Sequence, residues 1–165
     1  MPFDADSFMN QTVDAELSTS VEQPPEGDYR AMIGDFTSES GFRTFTARPG
    51  SKNEGREFTI FQPPFVLQDD PRLAAVKAAR NGNDITVTHK GMFLDLEDGG
   101  GLDVAKGKNV DLGRLREAVN QNTKSGWKFT DLIGAGPLMV KVIHEADQND
   151  SSKKYARVSR VVKIS

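Results

Sequence analysis

The chain has 165 residues, no cysteine and a net charge of −3, which suits one domain with a single core and excludes disulfides and thiolate metal sites. No apolar run approaches the roughly 20 residues of a membrane span, and the acidic start MPFDADSFMN lacks the basic and then apolar order of a signal peptide. We therefore expect a soluble intracellular protein that does not bind membranes.

The charge is distributed unevenly along the chain. Residues 1–41 hold nine acidic residues and one basic residue, a net charge of −8, whereas the remaining 124 residues have a net charge of +5. Residues 1–25 are predicted to form an acidic N-terminal arm, and residues 26–165 a single domain. An acidic segment beside a basic body can compete with a polyanion for its site. The alternative is a solvated terminus without a role.

Hydrophobic periodicity predicts five or six strands and two helices, after a helical turn near residues 4–11. The strand candidates are 28–36, 42–48, 56–62, 84–96, 138–145 and 155–164. The helices are expected at 69–80 and 110–122. The first has Asp69 or Asp70 as a cap, Pro71 in its first turn and Asn81-Gly82 at its end. Residues 38–41 predict a turn, and Gly91 predicts a bulge or a tight bend.

This order of elements favours a mainly β fold. One helix falls between the third barrel strand and the final hairpin, which predicts an OB-fold-like five-stranded antiparallel barrel with one or two helices and an N-terminal arm. The helix at 69–80 is then an insertion. A split two-layer α+β sheet is the alternative. Four phenylalanines are assigned to the core: Phe58, Phe61, Phe65 and Phe93.

The stretch GGGLDVAKGKN, residues 99–109, has the glycines and lysine of a phosphate-binding loop but not their spacing. Five residues separate Gly101 from Gly107, and Asn109 replaces the hydroxyl residue that would bind magnesium. We interpret the stretch as a mobile connection to a helix capped by Asn109 or Asp111. His89 and His144 are isolated within strand patterns, so no catalytic or metal site is predicted.

Aromatic and basic residues alternate in the predicted hairpins. Single-stranded nucleic acid binds such surfaces by stacking its bases on aromatic rings while Lys and Arg neutralise its phosphates. The predicted DNA contacts are Phe42, Arg43, Phe45, Arg48, Lys52, Arg56, Lys90, Trp127, Lys128, Lys153, Lys154, Tyr155 and Arg157. Because Phe42 and Phe45 fall on opposite strand faces, one of the two is expected to point into the core. For Trp127 the alternative is structural packing where the second helix ends.

From residue 84 onward, the order of segments is similar to that of a known family. A strand is followed by GKNVDLGRLREAVNQN, by GWKFTDLIGAGPLMVKVIHE, by a polar loop and by a Tyr-x-x-Val strand, and the chain opens with FDADSFMNQTVD and PPEGDYRAMIGDF. Across about two-thirds of its length the chain thus resembles the phage-encoded OB-fold single-stranded DNA-binding proteins. Bacterial single-stranded DNA-binding proteins usually end in an acidic partner-recruiting tail, whereas this chain ends in the basic RVSRVVKIS, so an equivalent function would fall to the acidic amino end.

The resemblance implies sequence-independent binding of single-stranded DNA, protecting strands in phage replication or recombination in the host cytoplasm. It implies no cofactor, and the residues themselves predict neither a metal site nor enzymatic activity. Candidate partners besides DNA are replication or recombination proteins and further copies of the chain. The main alternative, favoured by the overall acidic charge, is a β-rich virion structural or assembly protein that uses the same hairpins for protein contacts. An accessory subunit that recruits a nuclease or polymerase is a third hypothesis.

Overall fold

The protein is mainly β, as the sequence predicts. The computed structural model describes residues 2–17, 21–37 and 41–164, and in those residues the chain forms two antiparallel sheets and three α-helices. The strands are β1 (Gly27–Ile33), β2 (Phe42–Thr46), β3 (Glu57–Phe61), β4 (Pro64–Leu67), β5 (Thr86–Thr88), β6 (Met92–Leu94), β7 (Leu138–Ala146) and β8 (Lys154–Val162). The helices are α1 (Ala5–Met9), α2 (Ala74–Ala79) and α3 (Val110–Ala118), with 3-10 turns at Pro71–Leu73 and Phe129–Leu132.

The larger sheet has five strands in the order β5-β4-β1-β7-β8. Its two outer strands approach each other through a parallel bridge between His89 and Val158, where the Lys90 amide donates to the Val158 carbonyl at 2.9 Å. The smaller sheet has the order β2-β3-β6. Both sheets and the apolar side of α3 enclose one core, whose fully buried members include Phe61, Phe65, Leu115, Leu132, Leu138, Val140 and Val142.

The first predicted helix ends where its sequence signals place it. Asp70 accepts a hydrogen bond from the Arg72 amide, and Pro71 begins the 3-10 turn that leads into α2. Asn81 and Gly82 have positive φ angles of 56° and 78° and terminate the helix. The second helix is shorter than the predicted 110–122, because Asn120 adopts the left-handed conformation and the chain leaves the helix there.

The predicted strand at 84–96 is divided into two strands that belong to different sheets. Gly91, with φ of +121°, turns the chain between β5 in the five-stranded sheet and β6 in the three-stranded sheet. β4 is absent from the predicted strands, because the two prolines Pro63-Pro64 are typical of a break after the strand at 56–62. Pro64 is instead the first residue of β4, a position that tolerates a residue without an amide proton.

The N-terminal arm has a free part and a bound part. Residues 2–17 are exposed and include α1, capped by Asp4, within the predicted helical turn. Residues 22–26 are instead attached to the domain: the Gln23 side chain accepts from the Ala156 amide, the Pro24 carbonyl lies 2.7 Å from His144 Nε2, and the Pro25 carbonyl accepts from the Tyr29 hydroxyl. The fold therefore begins a few residues before the predicted boundary at 26. The predicted turn at 38–41 lies mostly outside the described residues.

Candidate nucleic-acid interface

The two faces of the three-stranded sheet carry different side chains, and the strand register determines which. Phe45 pairs with Phe58, and Ile60 pairs with Arg43 on one side and with Phe93 on the other, so these five residues share one face. Phe42, Phe61 and Met92 form the corresponding row on the opposite face, toward the core.

Three phenylalanines form an open aromatic surface, here called the outer aromatic cluster: Phe45, Phe58 and Phe93. The Phe45 and Phe58 rings stack with centroids 5.5 Å apart, and Phe93 meets both rings edge-on at 6.2 and 5.8 Å. Phe93 is 60% exposed and Phe45 39% exposed. Because one ring comes from each strand, the sheet itself fixes their spacing, and the exposed ring surfaces can stack on planar ligands.

The assignment of four phenylalanines to the core is confirmed for Phe61 and Phe65 and wrong for Phe58 and Phe93. Phe61 and Phe65 are completely buried, whereas Phe58 is half-buried and Phe93 is exposed. In Met92-Phe93-Leu94 every residue is apolar, so alternation does not show which side faces the core. That is decided by the pairing of Ile60 with Phe93, which depends on a strand register that the sequence does not reveal.

Beside the outer aromatic cluster is a concave site of about 480 Å³, the basic cleft. Its main lining side chains are Arg43, Phe45, Arg48, Ile60, Lys90 and Phe93. Among the described residues, all the charged side chains that line it are basic. No carboxylate of the described residues lies within 4.0 Å of the three cationic groups. The basic cleft thus presents positive charge next to exposed aromatic rings.

The surface on the other side of Phe93 has the opposite character. A concavity of about 620 Å³ includes Phe58 and Phe93, and five carboxylates also line it: Glu57, Asp95, Glu97, Asp98 and Asp103. Only Arg56 and Lys108 add positive charge among its lining side chains in the described residues. The Arg56 guanidinium lies 5.7 Å from the centre of the Phe58 ring. An extended polyanion that stacks on the aromatic cluster is therefore favoured toward the basic cleft and repelled on this side.

Two predicted contact residues lie in a second aromatic group, here called the inner aromatic cluster: Phe36, Phe42, Phe61, Trp127 and Phe129. Phe42 stacks on the buried Phe61 at 4.8 Å, and both rings meet Phe129 edge-on. Trp127 contacts Phe129 at 5.0 Å. By these ring contacts Phe42 is the inward member of the predicted pair Phe42 and Phe45, although its exposed fraction of 39% equals that of Phe45.

Further contacts fix Trp127 in place. Its Nε1–H donates to the Gln121 side chain at 2.8 Å, and the Arg116 guanidinium covers its ring at 4.2 Å. Burial lowers the pKa of Arg116, and its Nη2 donates to the Gln121 carbonyl. Trp127 therefore packs at the end of α3, the structural alternative given for it. The neighbouring Lys128 is exposed at the start of a 3-10 turn, where its amide donates to Asp131.

Five further predicted contacts do not line the basic cleft. Lys52 is exposed in the loop between β2 and β3. Lys153 and Lys154 lie where the β7–β8 loop joins β8, and Gln148 of that loop lines the basic cleft. Tyr155 and Arg157 are side by side on β8, with the guanidinium 5.8 Å from the ring centre. The structure thus brings four predicted contacts into one cleft, namely Arg43, Phe45, Arg48 and Lys90.

His89, the residue before Lys90, is a buried histidine beside the bend at Gly91. It is 5% exposed, and its Nδ1 accepts from the Gly91 amide at 2.9 Å. Burial lowers the pKa of His89 to about 4, against an opposing effect of the Asp111 charge and with a further lowering by the Lys90 charge. The imidazole is therefore neutral near pH 7, with its proton on Nε2, and it supports the bend at Gly91. Among the described residues, no group of three His, Cys, Asp or Glu side chains is placed to hold a metal ion.

The glycine-rich stretch 99–109 is anchored rather than free at its end. The Asn109 side chain accepts from the Asp95 amide and donates to the Asp95 and Asp103 carbonyls, at 2.8 to 2.9 Å. Asn109 occupies the N-cap position of α3 in the left-handed conformation, but its side chain bonds to Asp95 and Asp103 and not to the helix amides, so the predicted side-chain cap by Asn109 is wrong. The other candidate, Asp111, lies in the first turn of the helix. The amides of Glu97 and Gly100 bond within the turn, so they are not directed toward a phosphate. The stretch therefore connects β6 to α3, and the three hydrogen bonds of the Asn109 side chain fix the position of its end.

No helix of the described segments combines the length and apolar character needed to cross a membrane. Comparisons of the chain with protein-family models, with curated proteins and with solved structures gave no match.

Proposed function

We propose that the protein binds single-stranded DNA without sequence preference, as a phage-encoded OB-fold protein that protects strands during replication or recombination in the host cytoplasm. The observation that carries the proposal is the basic cleft. It places three cations around exposed phenylalanine rings, and no carboxylate of the described residues lines it. Stacking surfaces beside unneutralised cations are the two features that single-stranded DNA requires.

The binding mode follows from the geometry. Bases would stack on Phe93 and on the exposed surface of Phe45, where each base contributes about 1–3 kcal/mol. Arg43, Arg48 and Lys90 would neutralise the phosphates and release counterions. A phenyl ring can stack on any base, so this arrangement favours no sequence. It needs no cofactor, no metal and no covalent step, so the proposed protein is not an enzyme.

The strand order supports the finer proposal of an OB-fold. The five strands of the larger sheet, with α3 between β5 and β7, follow the order expected for a partly open five-stranded barrel. The bridge between His89 and Val158 joins the two outer strands, as closure of such a barrel requires. The three-stranded sheet would then be an elaboration that carries the basic cleft on its outer face.

A virion structural or assembly protein is the second candidate. The exposed Phe93 and Phe45 favour it, because exposed aromatic residues also mark protein interfaces. That function predicts stable homo-oligomers whose size does not change when nucleic acid is added. The segment 2–17 is acidic and exposed, and it also carries exposed apolar side chains, with Phe3 at 74% and Met9 at 81% exposure. In either case it would suit contacts with replication, recombination or structural partners.

The direct test is titration of a fluorescein-labelled oligo-dT of about 20 nucleotides at low and high salt, followed by anisotropy. We expect micromolar or tighter binding at low salt that weakens steeply as salt rises. Arg43→Gln should reduce the slope of log affinity against log salt by about one, because it removes one phosphate contact. The matched control is Lys106→Gln, at an exposed loop lysine outside the cleft. Absence of binding by the wild-type protein at micromolar concentration in low salt would refute the proposal.

A further inference from the structure

The basic cleft is directly joined to strand β8. Lys90 lines the cleft, and its amide donates to the Val158 carbonyl in the middle of β8. On either side of Val158, Arg157 and Ser159 are half-buried, whereas Val158 itself is completely buried. A ligand that leaves the cleft past Lys90 therefore meets the outer side of β8 next.

A β-bulge controls which side chains of β8 face outward. Lys141 pairs with Arg160 but Val142 pairs with Val158, so Ser159 has no partner on β7. As a result Val158 and Val161, three residues apart, are both buried, and Arg157 and Arg160 both lie on the outer side. Without the extra residue, strict alternation would place Arg157 and Arg160 on opposite faces. The bulge thus extends a line of cations along the strand.

Four cations surround the far end of β8, and we name them the β8 basic face: Arg114, Lys141, Arg160 and Lys163. Arg160 and Val162 take part in two adjoining concavities, one of about 550 Å³ that includes Arg114 and Lys163, and one of about 160 Å³ that includes Lys141. Lys141 lies directly opposite Arg160 on the neighbouring strand. Like charges in that position destabilise a sheet. Asp28 on β1 is opposite Lys141 on the other side but forms no ion pair with it, so a bound anion would stabilise the arrangement.

The positive charge of the β8 basic face is only partly compensated. Among the described residues, Lys141, Arg160 and Lys163 have no carboxylate oxygen within 4.0 Å, and Arg114 has a long contact of 3.5 Å with Asp111. Asp28, opposite Lys141 on β1, and Glu117 in the larger concavity are the acidic residues that line these surfaces. Aromatic rings are missing from the described lining of both concavities, which indicates phosphate neutralisation without base stacking.

We propose that the bound strand continues from the basic cleft past Lys90 and Arg157 to the β8 basic face, where its phosphodiester backbone lies across Arg160. This inference rests on the proposed function and enlarges its site. From Arg157 past Arg160 to Lys163 the chain spans about 20 Å. The occupied length should then be about 7–9 nucleotides, against about 4–5 for the cleft alone, within the range known for single OB-fold units.

The experiment compares Arg160→Glu with Arg43→Glu, using oligo-dT of about 6 and about 24 nucleotides and salt titrations by anisotropy. Lys106→Glu is the control with an equal change of net charge at an exposed loop position. We expect Arg160→Glu to weaken binding of the long oligonucleotide at least fivefold, to lower its salt slope by about one or more and to shorten the occupied length. Binding of the short oligonucleotide should stay within about twofold of the control. Arg43→Glu should weaken binding of both lengths.

Each contrary result has a separate meaning. If Arg160→Glu and Lys106→Glu bind the long oligonucleotide equally, the extension along β8 is wrong, while a loss with Arg43→Glu still supports the cleft. If the wild-type protein binds neither length, the proposed function itself fails. If Arg160→Glu loses binding to poly-glutamate but not to DNA, the face serves an acidic protein and the inference is overturned. Lys163→Glu, beyond the end of β8, repeats the test at a position where the sheet is not perturbed.

Discussion

The inner and outer aromatic clusters lie on opposite faces of the same three-stranded sheet, yet they differ in the elements that cover them and in the charges beside them. The inner aromatic cluster, centred on the fully buried Phe61, is covered by α3 residues and by the turn that carries Phe129. The outer aromatic cluster has no covering element among the described residues, and cations border it on one side. Aromatic composition alone therefore does not identify a binding surface. Whether other elements cover the rings, and which charges lie beside them, does.

The largest effect is expected in the inner cluster. Phe61→Ala should lower the free energy of unfolding by about 3–5 kcal/mol, because it leaves a cavity where Phe36, Phe42 and Phe129 meet. Chemical denaturation followed by circular dichroism measures this change. A loss below about 1 kcal/mol would mean that the inner cluster is not the packed unit described here, and the contrast between the two faces would disappear.

A second test concerns the boundary between the interior and the cleft, at His89. The pKa of His89 is lowered from 6.5 to about 4 by burial, so below pH 6.5 the unfolded chain binds a proton that the folded chain does not. This difference does not reduce the free energy of unfolding above pH 6.5. As pH decreases from 6.5 to 4 it lowers the free energy of unfolding by about 3 kcal/mol in all, and below pH 4 the loss levels off.

The measurement is the free energy of unfolding from pH 7 to pH 4 for the wild-type protein and for His89→Gln. Glutamine keeps an acceptor for the Gly91 amide but does not titrate. The wild-type protein should therefore lose about 2–3 kcal/mol more than the variant over this interval. Parallel pH profiles for the two proteins would show that His89 is not buried as a neutral group.

The smallest effect on stability, with a clear effect on binding, is expected in the outer cluster. Phe93→Ala removes an exposed ring, so the free energy of unfolding should change by less than about 1 kcal/mol. The free energy of binding to oligo-dT should weaken by about 1–3 kcal/mol, because one stacking surface is lost. Trp127→Leu is the matched comparison and should do the reverse, lowering stability without changing affinity. If Trp127→Leu weakens binding as much as Phe93→Ala, the assignment of the two faces is wrong.

The sequence predicted the parts of the fold that depend on local signals. The cap at Asp70, the first-turn Pro71 and the stop at Asn81-Gly82 all lie within twelve residues of one another and act through neighbouring backbone groups. The mainly β class and the alternation within β2 also follow from local pattern. The basic residues of the cleft could be found in the same way, since Arg43 and Phe45 share one face of a single predicted strand.

The sequence could not predict which strands pair. The expectation that Phe58 and Phe93 belong to the core rests on composition, because ten phenylalanines in one domain must mostly be buried. Only the register of β3 against β2 and β6 turns these two outward. The split at Gly91 likewise sends two parts of one apparent strand into different sheets. The bulge at Ser159 is a third case, because it depends on how β7 pairs with β8 and determines where Arg160 lies.

The hydrogen bond from Lys90 to Val158 also has a consequence for the order in which the molecule assembles. It joins segments about 70 residues apart in the chain, and closing so long a loop costs entropy before the contact contributes. This seam should therefore form late in folding and open early in fluctuations of the native state. A DNA strand that contacts Arg43 on one side of this hydrogen bond and Arg157 on the other would span the two segments. Its binding would therefore stabilise the contact between them and slow local opening of the protein.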